Sequence, residues 1–95
     1  MDNRLSRYSM KMGRCEITGR LLTADEVHCH HLIPKHLGGT DEFDNLRIVD
    51  KVIHKIIHMS NMDEIKRLIS ELKLSKPVLN KINQYRRKAK MELIG

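Results

Sequence analysis

Apolar residues recur with two different periods along this chain, and the change of period predicts the order of its strands and helices. Residues 27–33 (VHCHHLI) predict a strand that Pro34 ends, and residues 46–49 (LRIV) predict a second, shorter strand. Residues 51–59 (KVIHKIIHM) predict a helix, because their isoleucines recur at helical spacing and Asp50 is a good N-cap. The pattern therefore predicts two strands followed by a helix.

Two further helices are predicted after this unit. Asn61 and Glu64 form a capping-box-like start for one helix, and Ser75 is placed to cap another with Pro77 in its first turn. The apolar stripe of the last helix consists of Val78, Ile82, Tyr85, Ala89 and Leu93. Basic residues cover its remaining faces, so we expect a solvated or nucleic-acid-binding surface there.

A chain of 95 residues makes one small domain with a limited core. We expect an α+β domain over residues 1–95, with a strand–strand–helix core at 27–58 and a helical extension at 61–93. Residues 1–14 are basic and weakly patterned, which predicts an arm or a short irregular lead-in. Because the chain has no tryptophan and one phenylalanine, the core must be built from Leu, Ile, Val and Met.

The charge balance narrows the classes of function. Lys and Arg number 18 against 12 Asp and Glu, a net charge of +6, so nucleic acid or another polyanion is the simplest partner. The alternative is a ribosome-associated protein or a soluble basic protein with no polyanionic partner. The chain has no apolar run of about 18 residues and no signal-like segment, so we expect neither a membrane span nor secretion. The two cysteines fit a reducing compartment better than a disulfide framework.

Four histidines stand in a pattern that predicts metal chemistry. His54 and His58 are four residues apart on the predicted helix, the spacing that places two imidazoles on one cation. His30 can supply a third nitrogen, and three protein ligands leave a coordination position free, which is typical of catalytic metal sites. His31 is then spare and able to take a proton. The set predicts a hydrolytic site.

The adjacent histidines His30 and His31 can serve one site only if the backbone departs from a regular strand. Neighbours on a regular strand point to opposite faces, so the strand must end or bend for His30 and His31 to serve one site. Pro34 and the loop carrying Gly38-Gly39 supply the means for such a bend. His28 shares the parity of His30 and could line the same cleft, although a surface or hydrogen-bonding role is the simpler interpretation.

Asn45 follows the glycine loop and has two interpretations. It either caps a turn, or pins the loop through its side-chain amide and so sets the orientation of His31. Basic side chains near the histidines and on the last helix are candidates for contacts with backbone phosphates. These nucleic-acid-binding candidates are Arg47, Lys51, Lys55, Arg86 and Arg87.

With these residues in view, the pattern HH-x-x-P, GG, N and H-x-x-x-H over residues 27–58 resembles the HNH endonucleases. Their ββα-metal (His-Me finger) fold is two strands and a helix around one divalent cation. In this resemblance His31, Asn45 and His54 correspond to the three letters of the name. His30 and His58 match the additional metal-binding histidines of the colicin-type nucleases. The resemblance implies a metal-dependent DNA endonuclease with His31 as base, Asn45 in support, and His30, His54 and His58 as metal ligands.

Longer segments resemble the C-terminal endonuclease domain of bacterial group II intron reverse transcriptase/maturases, notably EVHCHHLIP, LGGTDEFDNLRIV and KINQYRRKAKMELIG. This narrower resemblance implies cleavage of the second strand of a DNA target during intron mobility. It implies double-stranded DNA, intron RNA and the rest of a maturase as partners, and a bacterial cytoplasmic, nucleoid-associated location. Many such domains hold a structural zinc with two Cys-x-x-Cys pairs. The matching positions here are Cys15, Thr18, Asp50 and Ile53, so no structural zinc is expected.

The sequence leaves open which metal is bound and which class of HNH protein this is. Three imidazoles suit Zn²⁺, Ni²⁺ or Mn²⁺, whereas Mg²⁺ prefers oxygen ligands, and the family uses both kinds. One alternative is a stand-alone phage-type or restriction-type HNH nuclease. The other is a nucleic-acid-binding module whose histidines hold zinc and which cuts nothing. His31 argues against that module, because a structural site does not require a base.

Overall fold

The computed structural model describes residues 2–95. The elements in chain order are α1 (Asn3–Met10), β1 (Val27–His31), β2 (Leu46–Asp50), α2 (Lys51–His58), α3 (Met62–Glu71) and α4 (Lys76–Lys88). Two short 3₁₀ turns, Lys35–Leu37 and Phe43–Asn45, lie between the strands. The molecule is thus a small α+β fold in which the predicted strand–strand–helix order is confirmed. Within the described chain, no helix has the length and apolar character needed to cross a membrane.

The strands form an antiparallel pair in which Val27 lies opposite Asp50 and His31 opposite Leu46. β1 ends two residues earlier than the sequence pattern predicts. At Ile33 the backbone N–H and C=O bond to the side chain of Asn45, at 2.9 and 3.0 Å, instead of to a neighbouring strand. The side-chain amide therefore replaces the next rung of the ladder and lets the chain turn away.

The prediction of an irregular lead-in is wrong, because residues Asn3–Met10 form helix α1. The side chain of Asp2 caps its first turn. Arg7 is buried and donates to both carboxylate oxygens of Glu16, at 3.0 and 2.7 Å, and Glu16 in turn accepts the N–H of Ile48. This buried ion pair ties α1 to β2. Helix α1 is held by a polar cap and an ion pair and has no stripe of apolar residues at helical spacing. The hydrophobic pattern of the sequence therefore did not predict it.

The core lies where α2 packs between the strands and α4. Its members are mainly isoleucines, and several residues are fully buried: Val49, Ile56, Ile57, Ile65 and Ile82. Of the four residue types that the composition predicted for the core, methionine contributes only partly buried side chains, those of Met59 and Met62. Tyr85 on α4 and Ala89, the residue that caps its C-terminal end, are also buried. Leu93 is exposed, and Ile94 takes the inner position instead, because the helix ends before it and helical spacing no longer applies.

The positions that correspond to the Cys-x-x-Cys pairs are occupied by ordinary packing and capping. Cys15 is buried, and its Sγ accepts the N–H groups of Thr18 and Asp50, each at 3.4 Å. The carboxylate of Asp50 caps α2 through the N–H of Val52 and forms an ion pair with Arg20. Ile53 belongs to the apolar core. This region is therefore held together by hydrogen bonds, an ion pair and apolar contacts.

Arg86 is fully buried, which contradicts the prediction that it contacts nucleic acid. Its Nη1 donates to the carbonyl oxygens of Ile56, Ile57 and Met59 at 2.8–3.0 Å, and its Nε donates to Glu92 O at 2.7 Å. The last carbonyls of a helix lack partners within the helix, and here the guanidinium supplies them for α2. The side chain thus caps the C-terminal end of α2 from inside the protein.

Candidate metal centre and active site

β1 and α2 bring three imidazoles together. Across residues 2–95, one ligand atom from each of His30, His54 and His58 lies within 4.8 Å of the others. α2 presents His54 and His58 one turn apart, with ring centroids separated by 4.8 Å. The ring of His30, on β1, has its centroid 5.1 Å from each of the other two. We call this group the histidine triangle.

The electrostatic surroundings keep the histidine triangle neutral. Burial, reinforced by the neighbouring imidazoles, lowers the pKa of His30 to about 3 and that of His54 to about 4. Burial also lowers the pKa of His58. Metal ions bind the neutral imidazole, because protonation occupies the lone pair. The three side chains are therefore in the ligating form at neutral pH.

One pair of nitrogens in the histidine triangle has the separation expected around a divalent cation. The distance from His58 Nε2 to His30 Nδ1 is 3.2 Å. Two imidazole nitrogens on one tetrahedral zinc ion, at ~2.0–2.1 Å from it, would be roughly 3.3–3.4 Å apart. The other ring nitrogen of His30, Nε2, is buried and has no hydrogen-bond partner within residues 2–95, and only one of the two nitrogens can bind a given ion. An all-nitrogen donor set of this kind suits Zn²⁺ and similar metals better than Mg²⁺.

An open cleft of about 670 Å³ lies beside the histidine triangle. We call it the metal cleft, and its lining residues are His28, Lys51, Val52, His54, Lys55, His58 and Met59. His28 enters it from β1, and its Nδ1 lies 3.0 Å from Nδ1 of His54. His28 is therefore an exposed histidine that contacts a proposed ligand, the simpler interpretation, and it also lines the same cleft as His54 and His58. Two lysines and an open face make the cleft accessible to an anionic substrate.

His31 lies outside the histidine triangle. Its Nε2 is 2.7 Å from Oδ1 of Asp41, and Lys35 Nζ lies 3.1 Å from the other oxygen of that carboxylate. His31 and Cys29 line a separate depression, as the alternation of β1 requires. β1 ends at His31, so the condition that the strand end there is met. His30 thus belongs to the histidine triangle, whereas His31 contacts the loop that carries Asp41. His31 still lies near the triangle, because it adds to the effect of burial in lowering the pKa values of His30 and His54.

Asn45 pins that loop. Besides its two bonds to Ile33, its Nδ2 donates to the carbonyl of Thr40 at 2.8 Å. Thr40 directly precedes Asp41, so the amide holds the segment that supplies the carboxylate partner of His31. These contacts match the interpretation of Asn45 as a loop-pinning residue. Asp41 itself was missed by the sequence analysis, because loop residues carry no periodic signal.

The path of this loop requires a glycine at position 39, so we expect a substitution of Gly39 to reduce the stability of the fold strongly. A Cβ at Gly39 would lie 1.6 Å from the carbonyl oxygen of Ile33 and 3.0 Å from Nδ2 of Asn45. Gly39→Ala must therefore displace backbone, and we expect a loss of about 3 kcal/mol, or a fall in Tm of about 10 °C or more. Thermal unfolding followed by circular dichroism measures this change.

Gly38→Ala is the matched control. Gly38 has φ of 94° but open space around its Cβ position, so only backbone strain of about 1 kcal/mol is expected there. A smaller fall in Tm for Gly39→Ala than for Gly38→Ala would show that the close approach to Ile33 does not constrain the loop.

The predicted DNA contacts fall into different places. Lys51 and Lys55 line the metal cleft, as the helical projection predicted. Arg47 and Arg87 line a different groove of about 430 Å³ between α4 and the ends of the strands, which we call the α4 groove. Its cationic residues are Arg47, Lys81, Arg87 and Lys88. Only exposed cations are available to a polyanion, so Arg86 is excluded from this set.

A ββα unit that holds three neutral imidazoles beside an open, lysine-lined cleft defines a candidate metal-dependent site for an anionic substrate. A family model described as HNH endonuclease matches residues 13–58. The match contains both strands, α2, the histidine triangle, His31 and Asn45, whereas α3 and α4 lie beyond it. No curated protein and no solved structure matches the chain. The family is one of nucleases that use a divalent metal and act on DNA.

Proposed function

We propose that this protein is a metal-dependent DNA endonuclease that hydrolyses phosphodiester bonds. The observation that carries the proposal is the histidine triangle inside the segment that matches the HNH endonuclease family. His30, His54 and His58 would hold one divalent cation. When bound, such a cation supplies Lewis-acid stabilisation of the charge that develops on phosphate and leaving-group oxygens.

His31 is the general base in this proposal. The carboxylate of Asp41 is ionised at neutral pH, since the hydrogen bond from His31 lowers its pKa. With the proton of the neutral ring on Nε2 and donated to Asp41, Nδ1 keeps a free lone pair that can take a proton from the attacking water. Positioned bases of this kind contribute about 10²–10⁴-fold to the rate. Asn45 acts indirectly, by holding the loop of Asp41.

Lys51 and Lys55 are the proposed contacts with phosphates on either side of the scissile bond. Both side chains are exposed, and neither forms an ion pair with a carboxylate of residues 2–95. Both line the metal cleft together with two members of the histidine triangle. Their charges are therefore free to neutralise phosphate next to the proposed metal, which positions a duplex without reading its sequence.

A narrower proposal concerns the biological context. We propose second-strand cleavage in group II intron mobility, with intron RNA and a reverse transcriptase/maturase as partners. Its support is the resemblance of the sequence segments named above. A reverse transcriptase reading frame upstream of this one would favour this context, and an isolated gene would favour a stand-alone phage-type or restriction-type nuclease. A silent zinc-binding module would bind DNA and zinc without cutting.

The direct test is incubation of supercoiled plasmid with the protein and Mg²⁺, Mn²⁺, Ni²⁺ or Zn²⁺. We expect nicked and linear products with at least one metal, none with EDTA, and none with His30→Ala. Intact plasmid under every metal condition, with zinc binding and DNA binding retained, would overturn the nuclease proposal in favour of the silent module.

Zinc is expected to stabilise the fold. A ligand that binds only the native state stabilises it by about 2.7 kcal/mol at a hundredfold excess over its Kd. For a domain of this size, that corresponds to a rise in Tm of about 10–20 °C. His58→Ala should remove most of the rise, whereas His36→Ala, which alters an exposed histidine outside the metal cleft, should not. Equal zinc-induced shifts in wild type and His58→Ala would rule out His58 as a ligand.

The same melting experiment has an expected pH dependence. Histidines of the unfolded chain titrate near pH ~6.5, whereas His30 and His54 in the fold have pKa values of about 3 and about 4. Between those values the unfolded chain binds more protons, so the stability of the metal-free protein falls as the pH is lowered from ~6.5 towards 4. The zinc-induced rise should fade over the same range. A metal-free Tm that does not change with pH would contradict the buried, neutral state of these rings.

A further inference from the structure

We propose that the α4 groove binds the phosphate backbone of duplex DNA and forms a second contact track beside the metal cleft. This inference rests on the proposed nuclease function and names a further surface that its substrate would use. It adds Lys81 and Lys88 to the nucleic-acid contacts and gives Arg47 and Arg87 a common location.

The groove is built by one face of α4. Lys81, Tyr85 and Lys88 are spaced four and three residues apart, so they lie on the same side of the helix. Ile82 and Arg86 occupy the inner side and are fully buried. α4 therefore presents two lysines around a tyrosine to the groove and keeps its apolar residues in the core.

The charges of the groove are not neutralised within the protein. None of its four cationic residues forms an ion pair with a carboxylate anywhere in the described chain, residues 2–95. The one carboxylate that lines the groove, Glu16, is already paired with Arg7 at 2.7 Å and lies 3.8 Å from Lys11 Nζ. The groove thus has an excess of positive charge, which complements phosphate.

Arg47 is held in place by neutral partners. Its Nη1 donates to the carbonyl oxygens of Asp44 and Leu46, at 2.7 and 2.8 Å. These bonds orient the guanidinium on the wall of the groove but leave its charge unpaired. An oriented guanidinium with free donors is well suited to bind phosphate oxygens.

The floor of the groove lies next to the histidine triangle. The ring of Tyr85 stacks on that of His30, with centroids 5.5 Å apart and an angle of 7° between the planes. A residue that lines the groove is thus in direct contact with a proposed metal ligand, so phosphates bound in the groove would lie close to the metal centre.

The test is a salt titration of DNA binding, followed by fluorescence anisotropy of a labelled duplex in EDTA. The groove variant is Lys81→Gln/Arg87→Gln/Lys88→Gln. The control variant, Lys66→Gln/Lys73→Gln/Lys76→Gln, removes the same number of charges from exposed positions that do not line the groove. Each phosphate contact contributes about 0.9 to the slope of log Kd against log salt.

We expect the slope to fall by about two to three in the groove variant and by less than about one in the control. Equal falls in both variants would show that only net charge matters, and an unchanged slope in the groove variant would place the track elsewhere. Polyglutamate that displaces DNA from wild type and groove variant alike would indicate general binding of polyanions and would also overturn the inference.

Separate controls test whether the groove variant folds and whether the nuclease proposal holds. The three groove side chains are exposed, so the Tm of the variant should equal that of wild type; if it falls, Arg87→Gln and Lys88→Gln are measured singly. The binding readout requires no cleavage. Groove-dependent binding by a wild-type protein that never cuts plasmid would overturn the nuclease proposal alone. Cleavage by wild type together with equal slopes for the groove and control variants would overturn the groove alone.

Discussion

Replacement of His31 by alanine is expected to lower the rate of plasmid cleavage by about 10²–10⁴-fold and to leave zinc affinity nearly unchanged. The physical reason is its position: His31 lies outside the histidine triangle and bonds to Asp41, so its removal leaves all three proposed ligands in place. Single-turnover cleavage at saturating metal measures the first effect, and isothermal titration calorimetry with Zn²⁺ measures the second.

His28→Ala is the control for this experiment, because His28 is a non-ligand histidine that contacts a proposed ligand. Its Nδ1 contacts His54, so we expect its loss to weaken zinc binding more than it slows cleavage at saturating metal. Abolished cleavage in His28→Ala with near-normal cleavage in His31→Ala would transfer the role of base to His28. Loss of zinc binding in His31→Ala would require the roles of His30 and His31 to be exchanged.

Replacement of Arg86 by methionine is expected to reduce the free energy of unfolding by about 3 kcal/mol or more. Methionine fills much of the volume, but it removes the guanidinium donor from the carbonyl groups of Ile57 and Met59 and leaves the carbonyl of Ile56 with the backbone N–H of Met59, at 3.3 Å. A buried acceptor that loses its partner costs about 1–3 kcal/mol. Zinc affinity should fall as well, since these carbonyls close the helix that carries two of the proposed ligands.

Arg87→Met is the matched control, because the neighbouring arginine is exposed and forms no ion pair within residues 2–95. It should change stability by less than about 0.5 kcal/mol. Guanidinium unfolding curves measure both variants, and equal losses would show that the cap contributes nothing. If Arg86→Met does not fold, Arg86→Lys, which keeps the charge but not the fork of donors, should give an intermediate loss.

These contacts connect the C-terminal helices to the candidate active site. The family match ends at residue 58, yet Arg86 caps α2 and Tyr85 stacks on His30, and both lie on α4. The segment beyond the match therefore contributes to holding two elements of the histidine triangle. A fragment that ends with the matched region would lack both contacts.

The local features of this fold could be predicted from the sequence because their causes are local. Asp50, Asn61 and Ser75 cap their helices as predicted, each accepting a backbone N–H from two or three residues further along the chain. The spacing of His54 and His58 likewise places both on one face of α2, whatever the rest of the chain does.

The tertiary structure alone decided which of two adjacent arginines is buried and which partner His31 has. Arg86 lies on the inner face of α4 with Ile82, but residue type predicts a solvated side chain there. Its burial depends on carbonyl groups at the end of α2, about thirty residues away in the chain. The pairing of His31 with Asp41 depends in the same way on a loop path that Asn45 holds. The sequence by itself determined the local turns, caps and spacings, whereas contacts between distant segments depend on packing that no periodicity records.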